Sequence, residues 1–127
     1  DRVAILALNS DRYFELMYAI PWLGAAMVPI NTRLAAPEIE YILNDSGAVA
    51  LLVDTAMSHH LTALEGRTPT VREVIWLDDN ASPEGILHYE DLTSYEAIDD
   101  AGARDDDLAG LFYTGGTTGR SKGVMLT

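Results

Sequence analysis

The sequence predicts a three-layer α/β fold of Rossmann-like type, a mostly parallel sheet with helices on both faces that ends in a phosphate-binding strand–loop–strand. Three observations predict it. Apolar runs of strand length alternate with segments of helical periodicity along the 127 residues. Those runs are continuously apolar, as strands covered on both faces are. The last of them, residues 108–113, leads directly into a segment rich in glycine and threonine, and open α/β sheets bind ligands at strand ends.

Residues 3–8 are an unbroken apolar run that reads as the first strand, and Asn9-Ser10 supplies an N-cap for a helix whose stripe is Tyr13, Leu16, Met17 and Ile20. Residues 27–30 read as the second strand. Pro37 suits the first residue of the next helix, with Glu38 and Glu40 in its positive first turn, Ile39, Ile42 and Leu43 as its buried stripe and Gly47 as its stop. A third strand at 49–53, a helix at 57–64 ended by Gly66, and a fourth strand at 71–77 continue the alternation. The Asp, Asn, Ser, Pro and Gly of 78–85 mark a surface loop, and 89–98 reads as a short helix before an acidic linker. Strand order does not follow from this pattern.

One domain fits the length; two do not. The net charge of −12 argues against nucleic acid and anionic membrane surfaces as partners, because the long-range field repels phosphate polymers. A local phosphate site survives that field, since its donors act within a Debye length of about 8 Å. With no cysteine there is no disulfide, thiolate zinc site or cysteine nucleophile within the segment, which fits a cytoplasmic location. The uncharged stretch 16–32 is interrupted by Pro21, Gly24, Pro29 and Asn31, so no transmembrane segment is expected.

The chemistry concentrates at residues 114–122, Thr114-Gly115-Gly116-Thr117-Thr118-Gly119-Arg120-Ser121-Lys122. Glycines allow positive φ angles, so that successive N–H groups converge on one anion; threonine hydroxyls add donors and lysine a mobile cation. A Walker loop requires glycine, four residues and then Gly-Lys-Ser/Thr, a pattern absent here, and Val124-Met125-Leu126 favours a strand over a helix. A strand–loop–strand hairpin is expected. An ordinary tight turn would need one or two glycines rather than three.

This loop resembles the signature Tyr-Thr-Ser/Gly-Gly-Ser/Thr-Thr-Gly-x-Pro-Lys-Gly-Val of the adenylate-forming enzymes, which include acyl-CoA synthetases, luciferases of the firefly type and peptide-synthetase adenylation domains. Ser121 stands where the signature has proline, which loosens the loop without removing a glycine, threonine or lysine. The resemblance extends to Asp1-Arg2-Val3-Ala4-Ile5-Leu6, to residues 22–31 and to the segment from Thr32-Arg33-Leu34 to Asp45-Ser46-Gly47-Ala48, and its wording is most like fatty-acyl-CoA synthetases. It implies that residues 1–127 are a single α/β subdomain within a larger N-terminal domain, completed by the remainder of the same polypeptide. It implies an ATP-dependent ligase that activates a carboxylic acid as acyl-adenylate and passes it to coenzyme A, with Mg2+ at the nucleotide. Thr114, Gly115, Gly116, Thr117, Thr118, Gly119 and Lys122 are then cofactor-binding residues that hold the ATP phosphates, and no catalytic or metal-ligating residue falls in the segment. The alternatives are an amino-acid adenylation domain feeding a carrier protein, and a non-catalytic acidic α/β module that binds a ligand.

Other residues are weaker candidates. His59 and His60 are adjacent on an expected helix, where their side chains diverge by about 100°. His88 has no evident partner, Tyr18 and Trp22 read as core, and Arg33 reads as one half of a salt bridge. Asp105-Asp106-Asp107 reads as a solvated loop, since consecutive residues on a strand face opposite ways. Ser10 and Ser121 lack a Gly-x-Ser-x-Gly setting, so hydrolase chemistry has no support.

Overall fold

The computed structural model describes residues 1–115 and 119–127. Seven strands form one sheet: β1 Arg2–Leu6, β2 Ala26–Pro29, β3 Ala50–Val53, β4 Glu73–Trp76, β5 Leu87–His88, β6 Gly110–Thr114 and β7 Lys122–Leu126. Their spatial order is β5-β4-β3-β1-β2-β6-β7. All neighbours run parallel except β6 and β7, which form the expected antiparallel hairpin. The C-terminal ends of β1 to β6 therefore share one edge of the sheet, and Thr114 lies on it.

The chain steps one way from β1 to β2 and back past β1 from β2 to β3. Because such crossovers are right-handed, the two linking helices fall on opposite faces. Helix α1, Asp11–Trp22, lies on one side, where Leu16 and Ile20 join Ile5, Met27 and Leu52. Helix α2, Ala36–Ser46, lies on the other, where Ile39, Ile42 and Leu43 join Ala4, Leu6, Val28 and Leu51. Alternate residues of β1 thus feed two cores, and this is the three-layer α/β fold that the residue pattern predicts.

Local chemistry sets the helix ends. Tyr13 N–H donates to Ser10 Oγ at 3.1 Å, the expected N-cap. Pro37 is the second helical residue rather than the first, and Ala35 N–H donates to the carboxylate of Glu38 at 2.9 Å. Gly47 closes α2 in the left-handed region at φ 62°. The Arg2 side chain also closes that end, donating to Ser46 O at 2.8 Å and Gly47 O at 3.0 Å.

The structure corrects several expectations. Residues 57–64 are not one helix but a 3-10 turn, Ser58–His60, followed by the single turn α3, Leu61–Leu64. The helix expected at 89–98 stops after one turn as α4, Tyr89–Leu92, because the hydroxyls of Thr93 and Ser94 donate back to Glu90 O and Asp91 O. Strand β5 has two residues and went unpredicted. Met17, Tyr18 and Trp22 are not core: with Phe14 they lie on the outward face of α1, with Tyr18 66% exposed and Trp22 51% exposed. Among the described residues no helix is long and apolar enough to cross a membrane.

Candidate functional site

The candidate site is the bend between β6 and β7. Strand β6 joins the sheet beside β2, with Gly110 opposite Met27; a Cβ at Gly110 would stand 3.0 Å from Met27 O and 2.7 Å from the Phe112 ring, so glycine permits the close approach. Pairing β6 with β7 sets Thr114 opposite Lys122 and Tyr113 opposite Gly123. Directly opposed residues project to the same side of a sheet, so the hydroxyl of Thr114 and the ammonium of Lys122 share one face, both exposed, at the C-terminal edge. Among the described residues Lys122 makes no salt bridge.

Gly115 and Gly119 frame the bend, and among the described residues a Cβ at either would meet nothing within 4 Å. Gly115 does not use the positive φ that glycine allows; its missing side chain leaves space beside the backbone among the described residues. Gly116, Thr117 and Thr118 lie outside the described residues.

The other face of the hairpin is anchored to α2. The Tyr113 hydroxyl donates to Asp45 Oδ2 at 2.7 Å, and its ring meets Tyr41 edge to face, centroids 6.5 Å apart at 88°. Burial, together with the acceptor Asp45, holds the Tyr113 phenol protonated well above its ordinary range. On the far limb the Arg120 guanidinium carbon stands 5.2 Å from the centroid of Tyr41. An open depression of about 730 Å3 lies here, between Glu38, Tyr41 and Asn44 of α2 and Gly115, Gly119 and Arg120 of the bend.

The family model described as "AMP-binding enzyme" matches residues 1–127. The chain belongs to the AMP-binding enzyme family. Among relatives, a long-chain-fatty-acid–CoA ligase of Thermus thermophilus is 39% identical over 125 residues, covering 98% of this chain and 23% of that protein. A feruloyl-CoA synthase of Amycolatopsis is 38% identical over 128 residues, covering 100% of this chain and 23% of that protein. Among solved structures, the anthranilate CoA ligase AuaEII in complex with anthranoyl-AMP superposes with a TM-score of 0.91 at 31% identity, over 98% of this chain and 24% of that one. The chain thus spans about a quarter of the length of the AMP-binding enzymes that it matches.

The structure places the remaining candidates away from the bend or in local contacts of their own. His88 caps α4 by accepting from Glu90 N–H at 3.2 Å, with its other nitrogen 3.3 Å from Asn80 O. His59 and His60 do not diverge as expected: outside a regular α-helix their rings lie 4.0 Å apart, and burial with the neighbouring His59 lowers the pKa of His60. Arg33 is exposed and, among the described residues, forms no salt bridge. Asp107 accepts from Arg104 N–H at 2.8 Å within an exposed turn, and among the described residues no three His, Cys, Asp or Glu side chains gather as a metal-binding group.

Sequence reasoning missed two features of this edge. Asp54, 8% exposed, sits where β1 and β3 diverge and accepts from Leu8 N–H at 2.7 Å and Met57 N–H at 2.9 Å. A carboxylate directly after the apolar run Leu51-Leu52-Val53 was its signal. The Tyr41–Tyr113–Arg120 cluster joins residues far apart in the chain, and no local pattern marks it.

Proposed function

We propose that this chain is the phosphate-binding subdomain of an ATP-dependent acid–thiol ligase that activates a carboxylic acid, a fatty acid by its wording, and transfers it to coenzyme A in the cytoplasm. The observation that carries the reading is Thr114 beside Lys122 on one face of an open glycine bend, at the C-terminal edge of the sheet in a chain of the AMP-binding family. The donor set suits a triphosphate: backbone N–H groups unobstructed at Gly115 and Gly119, a hydroxyl at Thr114 and a cation at Lys122. Gly116, Thr117 and Thr118 complete the loop in this reading.

In the reaction a carboxylate oxygen bonds to the α-phosphorus of ATP as the bond to the bridging oxygen breaks, and pyrophosphate leaves with that electron pair. The thiol sulfur then bonds to the acyl carbon, losing its proton, and AMP departs. Charge grows on the β-phosphate as the bridging bond breaks. In this reading the loop donors and Lys122 neutralise that charge, which is where positioned donors contribute most. Mg2+ would neutralise phosphate charge when bound, held by the nucleotide and by groups outside this segment.

The test is carboxylate-dependent ATP–pyrophosphate exchange in the full polypeptide. Lys122→Ala and Thr118→Ala should each raise KM for ATP or slow adenylation, by up to about 10²-fold for loss of one preorganised donor. Residues 1–127 alone should show no exchange. Unchanged kinetics in both variants would remove the assignment.

A further inference from the structure

We propose that Tyr41 is a positioning residue for the phosphate loop, its one ring holding both limbs of the bend against α2. Tyr113, the residue before Thr114, meets the ring edge to face at 6.5 Å, and Arg120, directly after Gly119, stacks over it at 5.2 Å. The support is itself fixed. Ile39, Ile42 and Leu43 around Tyr41 are each no more than 1% exposed, so the backbone of this turn of α2 is set by the core. Asp45 lies one helical turn after Tyr41 on the same face and accepts from the Tyr113 hydroxyl, giving the entering limb a second hold. Gly123 completes the arrangement, because a Cβ there would stand 3.1 Å from the Tyr113 ring, closer than ordinary contact allows.

The loop's two ends are thereby tied to a single side chain of α2. A tethered loop loses less conformational freedom on binding phosphate than a free one, so the tether acts on nucleotide affinity. This inference rests on the reading of the loop as the ATP phosphate site, and it names which residue outside the loop sets its geometry. Tyr41 touches no phosphate in this scheme. The ring is what matters, since both contacts are made to its edge and face.

Two measurements on the full polypeptide test it. Tyr41→Ala should raise KM for ATP by roughly three- to tenfold while leaving KM for the carboxylic acid unchanged, and Tyr41→Phe should restore the wild-type value. In limited trypsin digestion without nucleotide, cleavage after Arg120 relative to cleavage after Arg104 should rise in Tyr41→Ala and fall back in Tyr41→Phe. If Tyr41→Ala fails to fold, Tyr41→Leu keeps the bulk and removes the π face, and the same pair of shifts is expected. An unchanged KM for ATP with an unchanged cleavage ratio overturns the proposal, as does a Tyr41→Phe variant that behaves like Tyr41→Ala. Absence of carboxylate-dependent ATP turnover in the wild-type protein would remove the assigned function instead, and the trypsin ratio would still decide the role of Tyr41.

Discussion

At the scale of single residues, glycines do three different jobs here. Gly47 supplies a left-handed φ of 62°, Gly110 admits a neighbouring strand and Gly115 leaves backbone open. The first is the most testable. An alanine at 47 would take up a left-handed conformation and place its Cβ 2.7 Å from Arg2 Nη2, the group that donates to Gly47 O. Gly47→Ala should therefore lower stability by about 1–2 kcal/mol from backbone strain alone, seen as a lower urea midpoint with unchanged slope. The stop at Gly47 was legible because glycine after a helical stripe is a local signal. Arg2 as its partner was not, since the contact spans 45 residues of chain. Tyr18 and Trp22 show the converse: apolar identity suggested the core, yet their spacing of four puts them, with Phe14, together on the outward face of α1.

At the scale of elements, legibility followed length. Each strand of β1 to β4 and both longer helices carry enough apolar residues to be read, whereas β5, with two residues, was missed and α4 was read over 89–98 but keeps one turn. What holds α4 is tertiary. The Tyr89 hydroxyl donates to Glu15 Oε2 of α1 at 2.8 Å, while Arg12 of α1 pairs with Glu90 and, at 2.7 Å, with Asp79. Burial first, and then the hydrogen bond to Glu15, push the Tyr89 phenol up to about 12. The folded state thus favours the neutral phenol, and an unfolded tyrosine ionises near 10. The stabilisation is fully present below pH 10 and is lost as pH rises from there through about 12. Tyr89→Phe should lower stability at neutral pH and flatten its decline above pH 10. Urea unfolding of both forms at several values between pH 8 and pH 11 measures the two slopes; equal slopes would show that the phenol plays no part. Tyr113, raised for the same reasons, adds to the wild-type decline and keeps the variant's slope from vanishing.

At the scale of the whole molecule, the alternation of strand and helix gave the layers, but pairing order came only with the structure, because strand partners are chosen by contacts between distant segments. The site was legible in part: the glycine-rich loop and the β-favouring residues after it were read as a hairpin and a phosphate site, whereas the register that sets Thr114 beside Lys122 and the contacts that tie the bend to α2 had no local signature. Within residues 1–127 strand β7 lies at the edge of the sheet and is exposed along its length, with Met125 71% exposed and Val124 and Leu126 nearly half exposed. An uncovered apolar edge offers unpaired N–H and C=O groups to another strand, and natural sheets protect such edges with charge. Here Lys122 is the sole charged residue of β7, and it stands at the end nearest the bend. Residues 1–127 expressed alone should therefore self-associate through β7, despite a net charge of −12 that opposes it at low salt. Raising the salt should increase association, and Met125→Lys should shift the chain toward monomer. Size-exclusion chromatography with light scattering at two salt concentrations reads both effects; a wild-type chain that stays monomeric at high salt would show that the edge is not adhesive.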